Sequence, residues 1–201
     1  MRMTRAAALI AALAFALPCR AQQGPFGVKS GIVESTLTGL GQGQQTMVLY
    51  FDNFGSTQAT YTTNTIDLGT EKMVLHTIEI RLSDGTVYAV NLDSMTGTSM
   101  KNSPLVTNLL NNPMPSDVQG QMSSTALPDR VFLGKTCSGI QANASGVVTK
   151  AWTWKGLTLY SEAAVPGGTT IVLQATNVTV NVQISADKFK VPPGVTMVAL
   201  N

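Results

Sequence analysis

The stretch Val74–Leu92, VLHTIEIRLSDGTVYAVNL, contains two runs of alternating apolar and polar residues with a turn sequence between them. Successive side chains of a strand point to opposite faces, so each run can bury one face and expose the other. Asp84 and Gly85 between the runs are typical of a tight hairpin, because glycine adopts the positive φ that such turns require. The stretch therefore predicts two antiparallel strands, Val74–Leu82 and Thr86–Leu92.

Similar short runs of β-branched and aromatic residues, separated by Gly, Asn and Asp, occur on both sides of this hairpin. They predict further strands at Gly31–Thr38, Thr46–Asn53, Gln58–Ile66, Val131–Leu133, Thr136–Ala142, Val147–Trp154, Leu157–Ala163 and Thr169–Ile184. In the last of these, Val178 and Val180 face one way while Thr179 and Asn181 face the other. This alternation indicates a sheet with one buried and one solvated face.

Residues 93–115 interrupt the strand pattern and contain the proline-rich sequence NNPMP. Two short helices are predicted in and after this interruption, at Pro104–Leu110 and Ser116–Ser124. We therefore expect a mainly β protein, formed by a single strongly curved antiparallel sheet of about 8–10 strands. An open half-barrel with one or two short helices is the expected form, and a closed sandwich is the alternative.

The first 21 residues have a basic start, an apolar run and a small residue at Ala21, which is the pattern of a secretory signal peptide. Residues 22–30 are predicted to be a flexible lead-in, and residues 31–201 a single β domain. The short, arginine-containing leader is typical of a bacterial protein. We therefore expect an exported protein, located in the periplasm, at the outer-membrane periphery or in the medium.

Charge and hydropathy limit the partners of the mature chain. Three of the 13 Lys and Arg residues belong to the leader, which leaves ten against 11 Asp and Glu. These ten are scattered, so nucleic acid is not an expected partner. No apolar run after Ala21 is long enough for a transmembrane helix. The sequence does not predict an oligomeric state.

The chain has two cysteines, Cys19 and Cys137. Pro18 directly before Cys19 fits a lipoprotein signal poorly, so cleavage after Ala21 is the preferred interpretation and lipidation the alternative. Cleavage there leaves Cys137 alone, which excludes an intramolecular disulfide. We expect the Cys137 thiol to be buried, because a nucleophilic thiol needs an activating base.

The sequence contains few of the side chains that catalysis requires. Its only histidine, His76, shares a predicted strand face with Ile78 and is interpreted as a core or rim residue. Acidic residues lie on separate strands with no pairing pattern; they include Glu34, Asp52, Glu79 and Glu162. One histidine and one cysteine are too few for a typical zinc site. We therefore expect no enzymatic activity, no metal and no cofactor.

Three segments resemble secreted bacterial proteins of a domain family of unknown function, whose shape is related to the LolA/LolB-like lipoprotein carriers. The segments are LYFDNFGSTQATYT (Leu49–Thr62), the region from LGKTCSGI to AWTWKGLTLYSEA (Leu133–Ala163) and FKVPPGV (Phe189–Val195). The resemblance implies a half-barrel in which these segments mark successive edges of one curved sheet. It also implies a concave face, partly capped by helices, that holds acyl chains or an apolar segment of a partner.

The expected function is therefore non-enzymatic binding of an apolar ligand, a lipid or acyl chain, or of a lipidated partner such as a lipoprotein. The expected ligand-binding residues are Trp152, Trp154, Phe51, Leu49, Tyr88 and Met47. If the sheet closes, the tryptophans are core residues instead. The alternative function is a structural or adhesion-type interaction module with a closed core, which contacts partners through exposed strand edges such as Gln58–Asn64.

Overall fold

The structure, a computed structural model, describes residues 24–39, 43–67, 69–101, 123–144, 147–165 and 167–200. The predicted signal peptide, residues 1–21, and the predicted helix Pro104–Leu110 lie outside these ranges. The predicted helix Ser116–Ser124 also lies outside them, except for its last two residues, which begin a strand. Helical geometry in the described residues is confined to the 3₁₀ turns Asn53–Gly55 and Ala186–Phe189. None of their helices is long and apolar enough to cross a membrane.

Twelve strands form one sheet in the described parts of the chain, which confirms the predicted mainly β fold. The strands are β1 Gly31–Thr38, β2 Gly43–Asp52, β3 Thr57–Asp67, β4 Lys72–Arg81, β5 Thr86–Asn91, β6 Thr96–Lys101, β7 Ser123–Phe132, β8 Lys135–Ala144, β9 Val147–Trp154, β10 Leu157–Ala164, β11 Thr170–Val180 and β12 Thr196–Leu200. Ten of these correspond to predicted strands. The sequence does not predict β6 and β12, because TGTSMK and TMVAL show little alternation.

The hairpin between β4 and β5 forms where the sequence places it. Gly85 has a φ of 82°, and the Leu82 N–H donates to the Thr86 carbonyl at 2.9 Å. The Asp84 carboxylate accepts a hydrogen bond from the Thr86 N–H at 3.0 Å, which lowers the pKa of Asp84. The prediction of this turn is confirmed.

The sheet is open. Its order is β12-β6-β5-β4-β3-β2-β1-β11-β10-β9-β8-β7, with β12 and β7 at the two ends. The predicted open sheet is therefore confirmed, but it has twelve described strands instead of about 8–10, and one pair, β12 and β6, is parallel. The prediction that Gln58–Asn64 is an exposed edge is wrong, because β3 pairs with β2 on one side and with β4 on the other.

The ends of β2 and of the β9–β10 hairpin show how strongly the sheet curves. Four strand spacings separate β2 from β9, which is about 19 Å in a flat sheet. However, the Phe26 N–H donates to the Phe54 carbonyl after β2, and the adjacent Gly27 N–H donates to the Lys155 carbonyl after β9. Two neighbouring amides reach carbonyls no more than about 10 Å apart. The sheet therefore bends around the segment before β1.

That segment corrects the prediction of a flexible lead-in, at least for residues 24–30. Phe26 and Val28 are buried, and the Ser30 hydroxyl donates to the Val182 carbonyl at 2.7 Å. Gly55 has a φ of 82°, and a Cβ at this position would lie 2.3 Å from the Phe26 ring. Phe26 and Val28 are therefore core residues, while residues 25, 27 and 29 between and beside them are exposed.

Two apolar clusters lie on opposite faces of the sheet. Strands β1 to β6 pair without register shifts, so the face with Val33, Leu49 and Phe51 is opposite to the face with Ile78 and Ile80. The first cluster consists of Phe26, Val28, Val33, Phe51, Cys137, Trp152, Leu157, Leu159 and Ala175. The second consists of Ala59, Ile78, Ile80 and Val90. The sheet thus builds two separate cores.

The segment after β11 covers the second cluster. Phe189, Val191 and Val195 pack against it, and the Tyr61 hydroxyl donates to the Lys188 carbonyl at 3.2 Å. The resemblance implies that Phe189–Val195 marks a sheet edge, whereas here it lies across a face and the edge strand is β12. Burying the apolar face of β3 to β5 explains this position, because an uncovered face would leave the isoleucines in water.

Candidate functional site

The structure separates the six predicted ligand-binding residues. Leu49, Phe51, Trp152 and Trp154 all belong to the first cluster or pack against it. Tyr88 packs against the second cluster, on the opposite face of the sheet. Met47 shares the face of Leu49 and Phe51, and it is half-buried. The sequence therefore identifies four side chains that the fold does bring together.

Two of these four are covered by the protein itself. The exposed fraction is 0% for Phe51 and 2% for Trp152. The Trp152 indole N–H donates to the Pro128 carbonyl at 3.0 Å, and the Arg130 guanidinium carbon lies 4.4 Å from the ring centroid. Because its polar group is satisfied and its ring is covered, Trp152 is a core residue in this structure.

Aromatic rings extend from Trp152 toward the surface. Phe132 and Tyr160 stack with their ring centroids 5.2 Å apart and their planes 8° from parallel. The Trp152 ring meets Tyr160 edge-on at 5.7 Å. Phe132 is on β7 and Tyr160 on β10, so curvature of this end of the sheet brings together strands that are not neighbours. Both Phe132 and Tyr160 are half-buried.

Trp154 is the more accessible of the two tryptophans. It is half-buried and packs against the closed cluster. The Lys135 ammonium lies 4.8 Å from its ring centroid and the Lys155 ammonium 5.1 Å. These distances allow cation–π attraction from both lysines. We call the half-buried residues Phe132, Trp154 and Tyr160 the aromatic rim.

A hydrogen-bonded group of charged side chains lies next to the rim. Glu162 accepts from the Lys150 ammonium at 2.8 Å and from the Tyr160 hydroxyl at 3.1 Å. The bond from Lys150 lowers the pKa of the Glu162 carboxyl. Burial and the bond to Glu162 raise the pKa of Tyr160. The lowered pKa of Glu162 and the raised pKa of Tyr160 favour a carboxylate beside a protonated phenol at neutral pH.

Two open clefts occur on the described surface. The larger, of about 550 Å³, has a polar lining of Gly43, Gln44, Thr46, Thr65, Asp67 and Lys72. The smaller, of about 260 Å³, is lined by Val148, Lys150, Glu162, Ala164 and Thr170. The smaller cleft includes both partners of the Lys150–Glu162 pair and is therefore continuous with the charged group beside the rim. Neither cleft is lined by a predicted ligand-binding residue.

The remaining chemically active side chains have structural partners. Cys137 is buried, as predicted; its thiol donates to the Lys135 carbonyl at 3.4 Å, and burial raises its pKa. His76 is half-buried on the same strand face as Ile78, at the margin of the second cluster and away from the aromatic rim. Its Nδ1 lies 2.9 Å from an Asp93 carboxylate oxygen. Within the described residues, no group of three or more His, Cys, Asp or Glu could hold a metal ion.

Three residues of this site, Arg130, Phe132 and Tyr160, are not among those that the sequence predicts. A signal for them exists in RVFLGK and TWKGLTLY, where cations and aromatic residues lie close to two predicted turns. Recognising it requires knowing that β7 and β10 approach each other. That proximity depends on the curvature of the sheet and is not a property of either segment.

Comparison with solved structures supports the fold. An uncharacterized conserved protein from Thermus thermophilus superposes with a TM-score of 0.56 at 7% identity, over 86% of this chain and 91% of that chain. MucB in the Pseudomonas aeruginosa MucA/MucB complex gives a TM-score of 0.52 at 11% identity, over 85% of this chain and 58% of that chain. This chain thus spans less than two thirds of MucB. At these identities the likeness shows the fold alone.

A putative outer membrane lipoprotein-sorting protein domain from Vibrio parahaemolyticus aligns over 80% of this chain and 89% of that domain, at 7% identity and with a TM-score of only 0.29. No family model and no curated protein matches the sequence. The curved open sheet is therefore established, and the narrower resemblance to lipoprotein carriers stays a prediction.

Proposed function

We propose that this chain is an exported, non-catalytic binding protein that holds an apolar ligand, either a lipid acyl chain or the acyl chain of a lipidated partner, against the aromatic rim. The observation that carries this proposal is the position of Trp154, which is half-buried although it packs against a closed core. Full burial of one methylene is favourable by about 0.8 kcal/mol, so an acyl chain that is partly covered by these rings gains a fraction of that for each methylene.

The burial of Phe51 and Trp152 moves the proposed contacts outward from those that the sequence predicts. Of the six predicted residues, the proposal retains Trp154 and Leu49, with Met47 on the same face as Leu49. It adds Phe132 and Tyr160 of the rim. Tyr88 lies on the opposite face and packs with the C-terminal segment, so it is left out of the proposed contact surface.

Fluorescence quenching by a brominated fatty acid tests the proposal, because the two tryptophans of the chain differ in exposure. The variant Trp152→Phe retains Trp154 as its single fluorophore, and Trp154→Phe retains Trp152. We expect strong, saturable quenching in Trp152→Phe and at least about threefold weaker quenching in Trp154→Phe, because contact quenching requires access to the ring.

Unbrominated fatty acid is the control for changes in fluorescence that do not involve bromine, and far-ultraviolet circular dichroism shows that both variants are folded. Quenching that does not saturate, or that is equal in the two variants, would contradict binding at the rim.

The strand edges favour a second candidate, a protein-interaction module. At the ends of the sheet, Val131 is 68% and Val198 57% exposed, on β7 and β12 respectively. Unpaired edges can accept a strand from a partner. The quenching experiment separates the candidates, because an interaction through β7 or β12 does not require acyl chains to reach Trp154.

A further inference from the structure

Charge is distributed unevenly over the described sheet. Strands β7 to β10 and their turns carry four cations and two carboxylates, whereas the other described residues carry six cations and eight carboxylates. The four cations are Arg130, Lys135, Lys150 and Lys155, and the two carboxylates are Asp129 and Glu162. The end of the sheet with the aromatic rim is therefore positive, and the remainder is negative.

Three of the four cations have no carboxylate partner among the residues that the structure describes. Lys150 is paired with Glu162 at 2.8 Å. In contrast, no described carboxylate lies within 4 Å of the charged nitrogens of Arg130, Lys135 or Lys155. These three side chains instead lie over the rings of Trp152 and Trp154. A lysine or arginine over an aromatic face can still donate to an anion from its outer side.

The backbone at Lys135 and Lys155 is also held in place by the fold. Lys135 begins β8 and Lys155 follows β9, so each is next to a tight turn. Gly134 and Gly156 have φ values of 70° and 82°, which are typical of such turns. The Lys155 carbonyl is fixed by the Gly27 N–H at 2.8 Å. The structure therefore holds both lysines close to the half-buried ring of Trp154.

We propose that this cation group, Arg130, Lys135 and Lys155, binds the anionic headgroup of an amphiphile whose acyl chain lies on the aromatic rim. The inference rests on the proposed function and narrows the ligand class to acyl chains that end in a carboxylate or a phosphate. An anion here gains charge-assisted hydrogen bonds from donors that have no described acceptor. When the headgroup is uncharged, the same donors keep their hydrogen bonds to water and gain no charge-assisted contact.

Three ligands with the same chain test this inference. Decanol, decanoate and decyl phosphate differ only in the headgroup, and intrinsic fluorescence reports binding because both tryptophans belong to the cluster or pack against it. We expect each anion to bind about tenfold more tightly than decanol at low salt, since several exposed charge contacts contribute a few tenths to one kcal/mol each. Added salt reduces this difference by screening.

The double variant Lys135→Gln/Lys155→Gln is expected to reduce the affinity for both anions by about fivefold and to change the affinity for decanol by less than about twofold. The matched control, Lys72→Gln/Lys101→Gln, removes two exposed lysines elsewhere on the sheet and is expected to change none of the three affinities. Tighter binding of decyl phosphate than of decanoate assigns a phosphate headgroup, and the reverse order assigns a carboxylate.

The outcomes separate this inference from the proposed function. Equal affinities of the wild-type protein for decanol and the two anions, with no effect of salt, would overturn the inference and leave the binding of acyl chains intact. An equal loss of affinity for the anions in Lys72→Gln/Lys101→Gln would also overturn the inference, because it would show that only the net charge of the protein matters. Failure of all three ligands to bind would overturn the proposed function itself.

Discussion

Trp152→Ala is expected to lower the free energy of unfolding by about 3–5 kcal/mol, the usual cost of removing a large buried aromatic side chain. Trp152 is 2% exposed and contacts the rings of Phe132 and Tyr160. The substitution also leaves the Pro128 carbonyl without its indole donor and Arg130 without its ring. Urea denaturation followed by circular dichroism measures the loss.

Trp154→Ala is the matched control, because Trp154 is on the same strand but is half-buried. Its expected cost is less than about half that of Trp152→Ala, since much of its surface is already in water. If Trp152→Ala fails to fold, Trp152→Phe provides the comparison, because it keeps a ring and loses only part of the packing. Equal losses for Trp152→Ala and Trp154→Ala would contradict the division into core and rim.

Phe51→Ala is expected to cost about 3–5 kcal/mol for the same reason, because Phe51 is 0% exposed. Its ring meets Phe26 edge-on with the centroids 4.8 Å apart. Gly31 allows a close approach, since a Cβ there would lie 2.7 Å from the Phe51 ring. A cavity at Phe51 therefore removes packing contacts between β2, the start of β1 and the segment before β1. Urea denaturation again measures the loss.

Met47→Ala on the same strand face is the control for Phe51→Ala and is expected to cost clearly less, because Met47 is half-buried. Phe26→Ala and the double variant complete a mutant cycle with an expected coupling of about 0.5–1.5 kcal/mol. An unchanged stability in Phe26→Ala would show that Phe26 is not a core residue.

The sequence predicts much of the sheet because strand formation depends on local patterns. Alternation in VLHTIEIRL and the Asp84–Gly85 turn are sufficient to place β4 and β5. Edge strand β12 is harder to predict, because it pairs in parallel with β6, about 100 positions earlier in the chain. Its short TMVAL sequence has no partner nearby in the sequence. The core role of Phe26 and Val28 likewise depends on contacts with distant turns.

The candidate site is predicted only in part, for a related reason. Period-two patterns place Trp152 and Trp154 on one strand face, and they place Leu49 and Phe51 on another. They do not show which side chain of each pair is covered by the rest of the protein. Here, Arg130 and Phe132 cover Trp152 because β7 curves toward β10. The patterns also do not show that Tyr88 lies on the face opposite to Phe51, because that relation depends on the register of the strands between β2 and β5.

Mass spectrometry of the organic extract of the purified protein tests the central claim most directly. The full-length wild-type chain is expressed in a bacterium, purified without detergent, and extracted alongside Trp154→Ala. The account predicts an acyl-bearing molecule in stoichiometric amount in the wild-type extract and a marked depletion in the Trp154→Ala extract. A wild-type extract without any such molecule, from protein that also fails to bind added fatty acid, would contradict the account.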